Sequence, residues 1–405
     1  MAVGLGELPV MHPVPGFELG IASAGIKKPG RRDVVVMRCA EGSSIAGVYT
    51  QNAFCAAPVL LCKQRMQSNP RYLLVNTGNA NAATGEQGLQ AANAVCQHLA
   101  DLLGCPLEQV LPFSTGVIGE PLPVEKITAA LPAALSDLRE DNWALAAEGI
   151  MTTDTLPKGA SVQFQHKGVT LTVTGISKGA GMIRPNMATM LGYIATDAPV
   201  HAEVLQNILH AAANKSFNRI TIDGDTSTND SCILVATGQA AVEPISEAQG
   251  ELYEALRDAI EQVAMELAQA IVRDGEGATK FVTVEVQGGA TQQECLDVAY
   301  AVAHSPLVKT ALFASDPNWG RIVAAIGYAG IQDLDTEQVN VYLDDVCIVA
   351  HGGRAQAYTE EQGAAVMQQA EILIRIELSR GGCKETIWTT DLSHEYVRIN
   401  AEYRS

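Results

Sequence analysis

The run Lys178-Gly179-Ala180-Gly181-Met182-Ile183-Arg184-Pro185-Asn186-Met187-Ala188-Thr189-Met190-Leu191 breaks a strand-like region in mid-chain. Gly179 and Gly181 admit backbone angles that other residues avoid, while Pro185 fixes one angle firmly. An apolar, strand-like run from Leu191 to Ala195 follows. A chain loosened and pinned so close together can present one peptide bond to the next side chain. The expectation is that the Thr189 hydroxyl attacks the Ala188 carbonyl and that hydrolysis of the resulting ester cuts the chain. Thr189 would then head a new chain, its hydroxyl the nucleophile and its own α-amine the base. Such an amine, with a reference pKa of about 8, is partly neutral at pH 7.

Around this break the chain alternates short strand-like runs with amphipathic helices. Strands are predicted at Asp33 to Arg38, Ile45 to Thr50, Val59 to Leu61 and Tyr72 to Val75. Asn76 to Gly85 reads as a polar loop and Glu86 to Leu103 as a helix. A strand over Val110 to Ser114, helices around Val124 to Leu131 and Trp143 to Glu148, and a hairpin of Val162 to Gln165 with Val169 to Thr174 lead to the break. Beyond it come a helix (Glu203 to Lys215), a strand (Arg219 to Ile222), the loop Asp223 to Asp230 and a strand (Cys232 to Ala236). A long helix (Glu247 to Arg273), the strand Phe281 to Val286 and helices near Gln292 to His304 and Glu360 to Ile376 complete the pattern. Strands and helices mixed in both halves favour an α+β sandwich of sheets covered by helices. Gln287-Gly288-Gly289 is a weak boundary candidate.

The 405 residues suffice for a large core, and 47% hydrophobic with 18% charged residues describes a globular chain. A net charge of −18 argues against non-specific binding to nucleic acid or an anionic membrane. The nine cysteines are scattered, form no Cys-x-x-Cys, and mostly sit in apolar runs, which suits reduced thiols of a cytoplasmic protein. The N-terminal segment lacks a basic stretch, and no apolar run approaches the ~20 residues of a membrane span.

Acyl transfer needs a nucleophile, a base, an oxyanion hole and groups that hold the substrate. Ser114-Thr115-Gly116-Val117-Ile118-Gly119 follows a strand, so the Gly116 N–H and the Thr115 hydroxyl can serve as oxyanion donors. Lys178 can disfavour protonation of the Thr189 amine or anchor a carboxylate. Gly175-Ile176-Ser177-Lys178-Gly179 fits G-x-S-x-G, but Gly179, Gly181 and Pro185 oppose the helix that a serine elbow requires. The acidic loop from Asp223 lacks the glycine and glutamate of an EF-hand, the histidines show no ligand spacing, and no dinucleotide or Walker motif is present. Neither a metal nor a resident cofactor is expected.

With Gly47 to Asn52 and Ala56-Ala57-Pro58, the central run strongly resembles the ornithine acetyltransferase (ArgJ) family. So do Asn76 to Asn81, Ser114 to Gly119, Met151 to Thr155, Thr221 to Asp230, Arg273 to Lys280, Ser315 to Arg321 and Ile399 to Ser405. The resemblance implies self-cleavage into an α chain, Met1 to Ala188, and a β chain, Thr189 to Ser405, that stay together. It implies a glutamate N-acetyltransferase of arginine biosynthesis. Acetyl passes from N²-acetylornithine to Thr189 as an ester and then to glutamate, giving ornithine and N-acetylglutamate. It places the oxyanion pair on Thr115 and Gly116, and substrate contacts on Thr152, Lys178, Thr189, Glu276, Asn400 and Ser405. It leaves open whether acetyl-CoA is a second acetyl donor, a point on which family members differ, and it implies a heterotetramer of two α and two β chains and a cytoplasmic location. The implied fold is an αββα-type sandwich similar to certain self-cleaving aminopeptidases, with a smaller C-terminal α/β region. The rival readings are a self-cleaving amidohydrolase or aminopeptidase that uses water as acceptor, and a non-catalytic amino-acid-binding regulator.

Overall fold

A computed structural model describes residues 2–184 and 190–402, and these divide into two compact units. The larger unit takes in Glu7–Asn218 and Asp225–Ile271. Its chain runs through β1 (Phe17–Ala22), β2 (Val34–Cys39), β3 (Ser44–Tyr49), α1 (Ala57–Arg65), β4 (Tyr72–Asn79), α2 (Gly85–Leu103) and β5 (Val110–Val117). It continues through α3 (Val124–Ser136), α4 (Trp143–Gly149), β6 (Lys158–His166), β7 (Val169–Lys178), β8 (Leu191–Thr196), α5 (Ala202–Lys215), β9 (Ser231–Ala236) and α6 (Glu251–Arg273). One sheet has the order β1-β2-β4-β5 and the other β3-β9-β8-β7-β6. Each contains one parallel pair, β4 with β5 and β8 with β9.

The two sheets share a core. Phe17, Met37, Leu73 and Phe113 of the first lie in one buried cluster with Ile176, Tyr193 and Ile233 of the second. The Phe113 and Tyr193 rings meet edge to face at 5.3 Å. Alternation along the strands sends Val34, Val36 and Leu74 to the opposite face, where they pack on Val95 and Leu99 of α2 and Ile127 and Leu131 of α3. Each such side chain, once buried, is worth about 1.5–3 kcal/mol. Behind the second sheet, a Cβ on Gly175 would lie 3.1 Å from Leu267 and Val263 side-chain carbons of α6. Helices therefore cover both outer faces, which is the expected αββα sandwich.

The second unit comprises Met1–Gly6, Arg219–Gly224 and Val272–Ser405. Its elements are β10 (Phe281–Gly289), α7 (Gln292–His304), α8 (Pro306–Phe313), α9 (Trp319–Gly327), β11 (Asn340–Leu343), β12 (Val346–Ala350), β13 (Gly353–Arg354), α10 (Glu360–Met367), β14 (Glu371–Glu377), β15 (Cys383–Thr390) and α11 (His394–Ala401). Its six-stranded sheet has the order β13-β12-β11-β14-β10-β15. Val282, Val284 and Val286 of β10 and Ile372, Ile374 and Ile376 of β14 form its core with Val298 and Val302 of α7.

Several boundaries differ from those predicted. Val59 to Leu61 lies in helix α1, whose Pro58 opens the first turn and whose Lys63 and Arg65 suit the last. The first four residues of the expected polar loop, Asn76 to Asn79, continue strand β4. Arg219 to Ile222 is no strand: a 3₁₀ turn ends at Arg219 and Ile220 makes only an isolated bridge to Trp388. The expected helix from Glu360 to Ile376 is α10 followed by β14. The change of unit falls at Val272, and the boundary sought near 287 lies inside the second unit, at the end of β10. The sandwich holds residues from both sides of position 188/189.

Candidate active site

β4 and β5 run parallel in register from Tyr72↔Val110 to Gly78↔Gly116, with Thr77 opposite Thr115. At Gly116 the chain adopts φ +133°, and a Cβ there would stand 2.3 Å from the Gly78 carbonyl carbon. Only glycine fits that approach. The end of β5 is held by buried amides. Ser114 Oγ donates to Asn76 Oδ1 at 2.6 Å, and Asn76 Nδ2 donates to the Asn79 carbonyl at 2.9 Å. Asn229 Nδ2 donates to the Ser114 carbonyl at 2.9 Å and to the Ala80 carbonyl at 2.5 Å. These amides explain why a run of polar residues continues a buried strand: their side chains are satisfied internally.

Lys178 ends β7 opposite Leu191, the first residue of β8. Its Nζ donates to Thr152 Oγ1 at 3.3 Å. Beneath it lies an enclosed ion pair, Lys158 Nζ to Asp154 Oδ1 at 2.6 Å, both side chains without solvent exposure. Asp154 also takes the Gly179 N–H at 2.8 Å and the Thr152 N–H at 2.9 Å. Burial alone would raise the Asp154 carboxyl, but Lys158, Lys178 and these hydrogen bonds hold it well below the usual carboxylate range. Arg31 Nη2 donates to the Met151 and Thr152 carbonyls at 2.6 and 3.2 Å, so the Thr152 loop is tied on both sides.

In the second unit Glu276 Oε2 accepts Asn400 Nδ2 at 2.8 Å, and the same nitrogen donates to the Tyr396 carbonyl at 3.0 Å. Tyr396 in turn donates its hydroxyl to Asp223 Oδ2 at 3.1 Å. A Cβ on Gly277 would come within 2.5 Å of the Tyr396 nitrogen, so α11 packs directly on the backbone beside Glu276.

The expected site residues thus fall into groups. Thr115, Gly116, Thr152 and Lys178 belong to the sandwich, and Glu276 and Asn400 to the second unit. Ala188, Thr189 and Ser405 lie outside the described residues. Ser177, within the G-x-S-x-G match, is a fully buried residue of β7 and not a strand-to-helix elbow. Sequence reasoning missed Asp154, Lys158, Asn229 and Asp230, although the first and the last two stood in quoted motifs. The signal was a polar residue inside a run that otherwise turns apolar. Among the described residues no group of His, Cys, Asp or Glu is arranged to hold a metal, and no helix is long and apolar enough to cross a membrane.

A strand closed around Gly116 and a braced Lys178 ammonium are features that an acyl-transfer site can use. The chain matches the model of the ArgJ family over residues 18–405. It is 74% identical over 405 residues to the arginine biosynthesis bifunctional protein ArgJ of Pseudomonas syringae pv. tomato, covering all of both chains. The protein of the same name from Pseudomonas fluorescens is 72% identical, again over the whole of both. Among solved structures, the ArgJ protein of Bacillus halodurans is 38% identical, with 52% of this chain and 97% of that one covered and a TM-score of 0.49. The chain belongs to the ArgJ family.

Proposed function

We infer that this protein is a glutamate N-acetyltransferase of arginine biosynthesis, moving acetyl from N²-acetylornithine to glutamate. The observation that carries the reading is the match to the ArgJ family from residue 18 to the last residue, with 74% identity to a bifunctional arginine-biosynthesis protein along its full length.

In the proposed chemistry the Thr189 hydroxyl first attacks the Ala188 carbonyl. The C–N bond breaks, and water hydrolyses the ester to leave a free α-amine on Thr189. In turnover that amine takes the hydroxyl proton as Oγ attacks the acetyl carbonyl, and returns it to the departing amine of ornithine. The amine of glutamate then attacks the acetyl ester and restores the hydroxyl. The Thr115 hydroxyl and Gly116 N–H receive the oxyanion in each step, where one lost donor costs about 3–4 kcal/mol of transition-state stabilisation. Lys178 and Thr152 serve the substrate carboxylate, Glu276 the ornithine side-chain ammonium, and Asn400 and Ser405 complete the contacts. The α and β chains remain together as an α₂β₂ assembly in the cytoplasm, with no metal or resident cofactor.

Incubation with N²-acetylornithine and labelled glutamate tests the reading. Labelled N-acetylglutamate with equimolar ornithine is expected. Free acetate without N-acetylglutamate would assign the protein to the hydrolases. Coenzyme A release from acetyl-CoA with glutamate alone tests for a second donor, and light scattering tests the assembly.

A further inference from the structure

Asp391 is a buried acid of the second unit, 4% exposed, to which the chemistry above gives no task. Its Oδ1 accepts the Thr279 N–H at 2.8 Å and the Lys280 N–H at 3.0 Å. Its Oδ2 accepts the Thr279 hydroxyl at 2.6 Å. All three donors sit on the stretch that leads from Glu276 into β10. That stretch also turns on itself around Glu276, where the Ala278 N–H donates to the Gly275 carbonyl at 2.9 Å. A carboxylate suits the place, because it only accepts and three donors converge on it; such pairing is what lets a charge stay buried.

Two residues further on, Ser393 is the N-cap of α11, the helix that carries Asn400. Its Oγ donates to the Gly277 carbonyl at 2.6 Å and accepts the Tyr396 N–H at 3.3 Å. One hydroxyl therefore grips the residue after Glu276 and caps the helix that bears its partner. The segment between the two side chains is anchored in turn by α8. Lys309 Nζ donates to the Thr390 carbonyl, and the Leu392 N–H donates to the Lys309 carbonyl at 3.2 Å. Glu276 and Asn400, 124 positions apart in sequence, meet at 2.8 Å where Asp391 and Ser393 join their two segments.

We propose that Asp391, together with Ser393, is a positioning residue for substrate selection: it sets the Glu276 carboxylate against Asn400, where the side-chain ammonium of the substrate is met. This rests on the reading, given above, that Glu276 receives that ammonium. The consequence is selectivity for a cationic side chain and not the rate of acyl transfer. A hydrogen bond to a charged group is worth about tenfold to a hundredfold in binding, and it is lost when the group is displaced. The hydrogen-bonding shape of residue 391 matters here, not its charge. An asparagine keeps an acceptor oxygen for the two backbone N–H groups and turns its nitrogen to the Thr279 hydroxyl, which can accept. An alanine keeps none of these contacts.

The test measures kcat/KM for N²-acetylornithine and for N²-acetylnorleucine, whose side chain ends in a methyl group in place of the ammonium. Wild type, D391A, D391N, S393A and E276Q are compared by the ratio of the two values. A general loss of activity lowers both alike and leaves the ratio unchanged. D391A and S393A are expected to lower the ratio about tenfold, through a raised KM for N²-acetylornithine with kcat little altered. D391N removes the same charge as D391A and is expected to stay within about threefold of the wild-type ratio. A wild-type ratio in D391A overturns the proposal, and so does a D391N as unselective as D391A. Should D391A not fold, S393A decides: an unchanged ratio there overturns it. A wild-type ratio in E276Q would remove the underlying reading of Glu276, whereas a collapsed ratio in E276Q beside a wild-type ratio in D391A overturns only the role of Asp391.

Discussion

Lys158 Nζ meets Asp154 Oδ1 at 2.6 Å with neither side chain reached by solvent. Removing one partner of such a pair strands the other charge in the interior, which costs about 3–5 kcal/mol. Lys158→Met should lower the unfolding free energy by about that amount in urea titrations. The double change with Asp154→Leu should recover only part of it, because it removes the stranded charge but leaves the Gly179 and Thr152 N–H groups without their acceptor. Equal stability of the single variant and wild type would show that the pair is paid for elsewhere.

The same pair sets an acid limit. The Asp154 carboxyl is depressed in the folded protein below its ordinary value of 3.8. A depressed carboxylate contributes stability that is complete above the unfolded value and is lost as pH falls from there through the folded one. Wild type should therefore lose stability below about pH 4 faster than the Lys158→Met, Asp154→Leu double variant. Parallel acid-denaturation curves for the two would contradict this.

Lys309 behaves in the opposite sense. Burial lowers its ammonium from 10.5 to about 8, although Asp391 and Asp223 pull it back up. Its Nζ donates to Thr389 Oγ1 at 3.1 Å, to Thr390 Oγ1 at 3.3 Å and to the Thr390 carbonyl. A lysine with a lowered folded value binds its proton more weakly than the unfolded chain does, so its burial cost is relieved as pH rises from about 8 to 10.5. The stability of wild type relative to Lys309→Met should rise across that window. A flat difference would show that Lys309 stays charged at no cost.

Gly116→Ala brings a Cβ to 2.3 Å from the Gly78 carbonyl carbon, so the strand ends must separate. On the proposed role, kcat should fall about 100-fold or more, as for loss of one oxyanion donor, with KM little altered. Glu276→Gln should instead raise KM for N²-acetylornithine about tenfold to a hundredfold, the worth of a hydrogen bond to a charged group. Steady-state kinetics with each substrate varied separates the two patterns.

The sandwich was legible because its strands and helices carry clean periods. In α2 the buried Ala92, Val95, Cys96, Leu99 and Ala100 recur at helical spacing. Errors arose where a short apolar run has no period of its own, as at Val59 to Leu61, or where helix passes into strand without a glycine or proline, as at Gln368-Gln369-Ala370. There the alternation of buried Ile372, Ile374 and Ile376 was the available cue. The Thr115–Gly116 strand end and Lys178 could be picked out as candidates for the chemistry. Asp154 could not, because its place depends on Lys158, Gly179 and the Thr152 N–H, partners that only the folded chain supplies.

N-terminal sequencing and intact mass of active enzyme, before and after exposure to N²-acetylornithine, bear most directly on the central claim. Two chains are expected, one of them beginning at Thr189 and gaining a single acetyl group on that residue when glutamate is withheld. A single uncut chain with full turnover would contradict it.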